Sequence, residues 1–274
     1  MILSGTSMYV GASFGVLLFD TIAPAGVAWL RVAVSALILV ALVRPTRAAW
    51  TGRPMLLAGG FGVVTALMNI SFYESVARLP LGTAVAIEFL GPIAVVAYES
   101  RSVRGVASLL AAGAGVALIA DVQFAAQPLG VVFALLAAAF WAGYVVLGKT
   151  VATRGDPLSS LAVGWAIAAV VTSPLVVVVL QGRPPESIAR VAWMVLALAV
   201  LSSVLPYLLD QLVLRMVGRG RFALLLALLP VAAVFAGLLM LDQVPSGTEL
   251  AGIALVVVAL VVSDHAREPA LPAS

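Results

Sequence analysis

Ten runs of mainly apolar residues follow one another along this chain, each near the roughly 20 residues a helix needs to cross a bilayer. They cover about 2–19, 24–43, 55–78, 81–99, 104–120, 128–148, 158–180, 190–214, 221–241 and 247–263. The connections are short and carry turn-forming proline pairs: Ala23-Pro24, Arg44-Pro45, Leu79-Pro80, Gln127-Pro128, Asp156-Pro157 and Val244-Pro245. None is long enough to hold a soluble domain. The pattern predicts an all-α polytopic membrane protein of ten transmembrane helices.

Composition excludes the soluble alternatives. The 274 residues are 63% hydrophobic and 10% charged, whereas soluble domains run near 45–50% apolar and about 25% charged. The net charge of +3 does not point to nucleic acid, because the basic residues lie between apolar runs, where they report membrane orientation. No cysteine is present, which excludes disulfides, thiol nucleophiles and thiolate metal sites. The single histidine, His265, falls in the polar tail, so a histidine triad, a haem ligand or the usual zinc motif has no residue within the spans. An enzyme is not expected, nor is a cofactor. The first run reads as a transmembrane helix and not as a cleaved signal.

The charges between the runs orient the chain. Arg44, Arg47, Arg53, Arg101, Arg104, Lys149, Arg154, Arg215, Arg219, Arg221 and Arg267 fall on one side, which accounts for eleven of the 15 Lys and Arg. The opposite side carries Arg78, Arg183 and Arg190. The positive-inside rule then puts both termini in the cytoplasm of a multi-pass cell-membrane protein.

A weak internal repeat accompanies the span count. Ala23-Pro24 opens the second run as Asp156-Pro157 opens the seventh, and the Glu74…Pro92 spacing has a counterpart in Asp210…Pro230. Five spans per half is an odd number, so the two halves must insert in opposite senses, the inverted-repeat architecture of carriers. The expected division is 1–127 for the first repeat, 128–263 for the second and 264–274 for a cytoplasmic tail.

Within the runs, charge is the feature that demands an explanation. Glu88 has no charged neighbour between Arg78 and Glu99, and an ionised group at a bilayer centre costs at least ~2.5–3.5 kcal/mol unless compensated. Pro92, four residues on, removes a backbone hydrogen bond one turn away. Glu88 must therefore face a polar cavity, pair with a cation or carry a proton. Arg31 is the cation within the runs, and a Glu88–Arg31 pair that merely locks two helices stands as the structural alternative to a coupling role. Glu74 and Asp210 lie about one turn inside their spans, where snorkelling to the interface competes with a role in a site. Pro206 and Asp210 share a helix face, and Pro230 repeats the proline of span four. Asn69, Tyr73, Trp141, Tyr144 and Tyr207 offer rings and polar tips suited to a small zwitterion, or simply pack.

Several stretches in order carry a family resemblance: Gly26-Val-Ala-Trp-Leu-Arg31, Phe72-Tyr73 with Leu79-Pro-Leu-Gly82, Ala86-Ile-Glu-Phe-Leu-Gly-Pro92, Phe140-Trp141-Ala-Gly-Tyr144, Leu205-Pro-Tyr207 with Asp210, and Leu229-Pro230-Val-Ala-Ala233. Together they resemble the drug/metabolite transporter superfamily with two EamA-type halves, and within it the threonine/homoserine exporter branch. The resemblance implies a carrier with a central cavity faced by Glu88, Trp141, Tyr144, Tyr207 and Asp210. It implies export of small metabolites, amino acids such as threonine and homoserine first, against proton entry. Membrane lipid and a small solute are then the partners. Leu229 stands where relatives carry a carboxylate, Glu74 where they are apolar, and the chain starts almost inside its first span. These departures leave a drug or nucleobase exporter, or a non-transporting membrane scaffold, as alternatives.

Overall fold

A computed structural model describes residues 2–100, 102–153, 156–182, 187–206 and 228–265. Among them the regular structure is helical throughout: α1 Ile2–Val16, α2 Pro24–Val43, α3 Gly52–Val76, α4 Leu81–Glu88, α5 Leu90–Ser100, α6 Val103–Ala126, α7 Pro128–Thr153, α8 Pro157–Val171, α9 Val176–Leu180, α10 Ile188–Ala199, α11 Leu229–Leu241 and α12 Gly247–His265. Proline starts α2, α7 and α8, where its missing N–H falls among groups that have no intrahelical partner anyway.

Length and apolarity alone qualify Pro24–Val43, Gly52–Val76, Leu81–Glu99 and Pro128–Val151 as membrane spans among the described residues. Val103–Ile119, Ile188–Val204, Leu229–Leu241 and Gly247–Val262 are shorter apolar helices. The chain is thus an all-helical, multi-pass membrane protein. The run at 158–180, read from sequence as one span, is α8 followed by a 3₁₀ turn at Ser173–Leu175 and α9, bent by 56°. Pro174 removes a helical N–H there, and Thr172 turns its hydroxyl back on the Ala168 carbonyl at 2.7 Å.

Helices from opposite ends of the chain interleave. α3 packs on α7 and α8, α2 on α8 and α10, α1 on α10 and α11, α4 on α7 and α11, and α6 on α12. One core joins residues of α1 to α7, α10, α11 and α12, and a second joins α2, α3, α7 and α8. Between apolar helices in lipid, close packing replaces the hydrophobic drive, so small residues mark the crossings. A Cβ on Gly62 would run into the Gly164 carbonyl of α8, and one on Gly91 into the Ala138 carbonyl of α7.

Candidate functional site

The break expected beside Glu88 is present. α4 ends at Glu88, Phe89 is a turn, and α5 resumes at Leu90 with Pro92 in its first turn. Proline has no N–H for the carbonyl four residues back, which here is that of Glu88. The Glu88 side chain is 7% exposed. No hydrogen bond or ion pair from a described residue reaches its carboxylate; the ion pairs among those residues are Arg78–Glu74 and Lys149–Glu99. Arg31 and the hydroxyl of Tyr9 lie within electrostatic reach of it.

The simple Glu88–Arg31 pair that the sequence allowed is not formed. Arg31 Nε donates to Ser203 Oγ at 2.9 Å and Nη2 to the Ser202 carbonyl at 2.7 Å. Its guanidinium carbon stands 5.8 Å from the centroid of the Tyr73 ring, within cation–π range. Neutral oxygens and an aromatic face therefore hold this charge, because they lie within the reach of a side chain fixed in α2.

Tyr73 is fully buried, braced edge-on by Phe19 and Phe72 with ring centroids 6.0 and 5.5 Å away. Gly15 makes room for it: a Cβ there would lie 2.6 Å from the ring. The Tyr73 hydroxyl faces Arg31 and Ser202 without reaching full hydrogen-bond geometry to a described residue. Trp141 meets Phe89, the residue after Glu88, at a centroid distance of 4.6 Å and so comes to the same region from α7. Of the expected residues, Trp141 thus reaches the α4–α5 break at Phe89, while Arg31, within electrostatic reach of Glu88, forms a neighbouring cluster with Tyr73.

Others go elsewhere. Tyr144 stacks on Phe61 at 4.8 Å, in the second core. Asn69 spends an amide hydrogen on the Thr65 carbonyl of its own helix at 2.8 Å. Pro206 is buried just beyond the π turn that follows α10, and Pro230 sits in the first turn of α11. Tyr207 and Asp210 lie outside the described residues. Glu74 does more than reach the interface: Oε1 accepts the Ala25 N–H at 3.1 Å, and Oε2 pairs with Arg78 at 2.6 Å. Ala23 has no side chain to cap α2, so Glu74 of α3 caps it instead.

Glu249 and Tyr9 were not anticipated. Glu249 is 4% exposed and accepts from Thr83 Oγ1 at 2.8 Å, Ser246 N–H at 2.8 Å and Ser246 Oγ at 2.9 Å. With Gln243 Oε1 accepting the Leu81 N–H at 2.8 Å, it ties the start of α4 to the α11–α12 connection. The Ser246-x-x-Glu249 spacing is a capping box and was readable as one; its bond to Thr83 was not. No motif distinguished Tyr9. A separate cleft of about 250 Å³ lies among Thr46, Ala49, Pro54, Val151, Asp156 and Ser159, and none of the expected residues lines it. Among the described residues no three His, Asp or Glu side chains converge to hold a metal ion.

Comparison with known proteins gives this arrangement a context. Residues 128–263 match the EamA-like transporter family. The chain is 31% identical over 285 residues to the threonine/homoserine exporter RhtA of Salmonella typhimurium strain LT2, covering 98% of this chain and 92% of that protein. RhtA of Escherichia coli strain K12 is 31% identical over 273 residues, covering 94% and 88%. A solved crystal structure at 16% identity shares the fold with a TM-score of 0.60, covering 95% of this chain and 94% of that one.

Proposed function

Because the chain belongs to the EamA-like transporter family of the drug/metabolite transporter superfamily, we propose that it is a secondary-active exporter of small metabolites, amino acids such as threonine and homoserine first. One observation carries the reading: Glu88 is buried at a helix break with no bonding partner from the described residues, in a chain similar over nearly its whole length to named exporters. A stabilising helix lock would consume the carboxylate, and no described residue consumes that of Glu88. A buried acid without a partner is suited to exchanging protons with a passing solute, and a broken helix supplies free backbone groups to the same solute.

The carrier reading brings with it ten spans in two inverted five-helix repeats, 1–127 and 128–263, a cytoplasmic tail at 264–274, and cytoplasmic termini in the cell membrane. Wide pairing between the first five runs and the last five supports it, since alternating access needs two bodies that meet around a central region. Tyr73, Trp141 and the Tyr9 hydroxyl are the ring-bearing groups best placed to line the path beside Glu88. Asn69 and Tyr144 are assigned to more distant parts of it, and Tyr207 and Asp210, outside the described residues, are assigned to it through the family alone. Proton antiport is the coupling that an unpartnered acid serves.

The test is efflux from proteoliposomes loaded with a panel of amino acids, nucleobases and cationic drugs, with and without an inward proton gradient. Gradient-driven threonine or homoserine efflux that disappears in Glu88→Gln is the expected result. Exchange of drugs or nucleobases alone reassigns the substrate class, and no exchange of any solute returns the chain to a scaffold role.

A further inference from the structure

α10 does not simply continue: after Ala199 it widens into a π turn at Val200–Val204, then reaches Pro206. The Leu205 N–H bonds to Val200, five residues back, so the Leu201 carbonyl loses its ordinary i+4 donor. Pro206 has no N–H at all, so the Ser202 carbonyl loses its donor too. In a bilayer such orphaned groups must be satisfied within the protein. Both are, and by helices from the far end of the chain. Ser7 Oγ donates to the Leu201 carbonyl at 2.9 Å, and Arg31 Nη2 donates to that of Ser202 at 2.7 Å.

Further bonds close the same seam. Arg31 Nε reaches Ser203 Oγ, Ser202 Oγ donates to the Met8 carbonyl at 2.7 Å, and Ser35 Oγ leans on the Ala199 carbonyl at 3.4 Å. Gly11 lets α1 approach this closely, since a Cβ there would lie 2.7 Å from the Ser202 nitrogen. Arg31 thus supplies the hydrogen bond that the proline removes, and the planar fork lets one side chain serve a carbonyl and a hydroxyl together.

We propose that Arg31 is a positioning residue, the surrogate donor that holds the π turn of α10 in its broken form against α2, and not a ligand for the transported solute. The assignment rests on the carrier reading for its effect on transport but not for its effect on the helix. Two of the guanidinium's five N–H donors, one on Nε and one on Nη2, are committed to Ser203 and Ser202, which fixes the plane of the fork against α10. Its contribution to transport is the shape of α10 at the seam between the first and last thirds of the chain.

The experiment pairs Arg31→Lys with Pro206→Ala. Lysine keeps the charge but loses the planar fork whose separate nitrogens span the two acceptors; alanine at 206 restores an N–H, so Ser202 no longer needs an outside donor. In threonine counterflow, Arg31→Lys is expected to lower Vmax about tenfold while KM stays within about threefold. In the Pro206→Ala background the same change is expected to cost less than about threefold, and Ser203→Ala is expected to lower Vmax in the same direction as Arg31→Lys. A KM raised about tenfold at full Vmax makes Arg31 a solute ligand and overturns the proposal, as does an equal loss in both backgrounds. If the unaltered chain exchanges no solute, the export reading fails while the inference is still decided by melting in detergent. Arg31→Lys must then lower Tm markedly less with Ala than with Pro at 206, and equal lowering sinks it.

Discussion

Two carboxylates, Glu88 and Glu249, are buried almost equally, at 7% and 4% exposure, and have opposite surroundings. Glu249 closes a capping box with Ser246 and takes the Thr83 hydroxyl. Its charge is met by donors from its own helix start and from α4, so its burial stabilises the fold. Glu88 lies at the other end of the same α4, where the helix breaks, and no described residue bonds to it. Burial therefore does not distinguish a working acid from a structural one. The supply of donors does. A helix N-terminus provides N–H groups that a carboxylate can satisfy, whereas the C-terminal end of α4 presents carbonyls, which cannot donate.

The largest expected effect is on transport. Glu88→Gln should abolish gradient-driven solute efflux and leave Tm in detergent within about 2 °C, because no protein hydrogen bond is lost. If efflux survives with its pH dependence intact, the contrast between the two acids collapses. Next comes Glu249→Ala, which strands the Thr83 hydroxyl and the Ser246 N–H; a loss of about 2–3 kcal/mol is expected, seen as early thermal unfolding, with exchange retained at low temperature. A variant that melts normally but cannot exchange would put Glu249 on the side of Glu88.

Smaller effects refine the rule about donors. Glu74→Ala removes the cap on α2 and the partner of Arg78, and should cost about 1 kcal/mol, while Glu74→Gln, which keeps an acceptor for Ala25, should cost less. The smallest effect is at Asp156, outside the spans. The Ser159 hydroxyl, with the backbone N–H groups of Leu158 and Ser159, holds its carboxyl below the usual carboxylate range. A depressed folded pKa means the contribution is complete above the unfolded value of about 3.9 and lost as pH falls through the folded one. Asp156→Asn should therefore lower stability slightly at neutral pH, where the contribution is complete, and the difference from the unaltered chain should vanish as pH falls through the folded pKa, as read from melting curves between pH 2 and pH 7 on the order of one unit apart.

Much of this was legible beforehand because it is local. The isolation of Glu88, the interruption before Pro92 and the helix starts at Pro24, Pro128 and Pro157 follow from neighbours within a turn or two. What was not legible depends on partners far along the chain. Arg31 meets residues 171 and 172 positions away, and Thr83 meets Glu249 166 positions away. The bend after Thr172 lies between, since Pro174 stands in the sequence inside an apolar run that continues on both sides of it.

Sequence by itself determined that this chain is a bundle of apolar helices with an acid one turn before a proline. Hydrophobic length, proline chemistry and the cost of charge in lipid act residue by residue and need no knowledge of what lies opposite. Only the tertiary structure decided how the charges are used. The guanidinium of Arg31 goes to the carbonyl that Pro206 orphans, Glu249 goes to α4, and Glu88 is left without a hydrogen bond or ion pair from the described residues. Hydrogen bonds form between groups that packing brings within 3 Å or so, and in a bundle of similar helices that choice belongs to the packing.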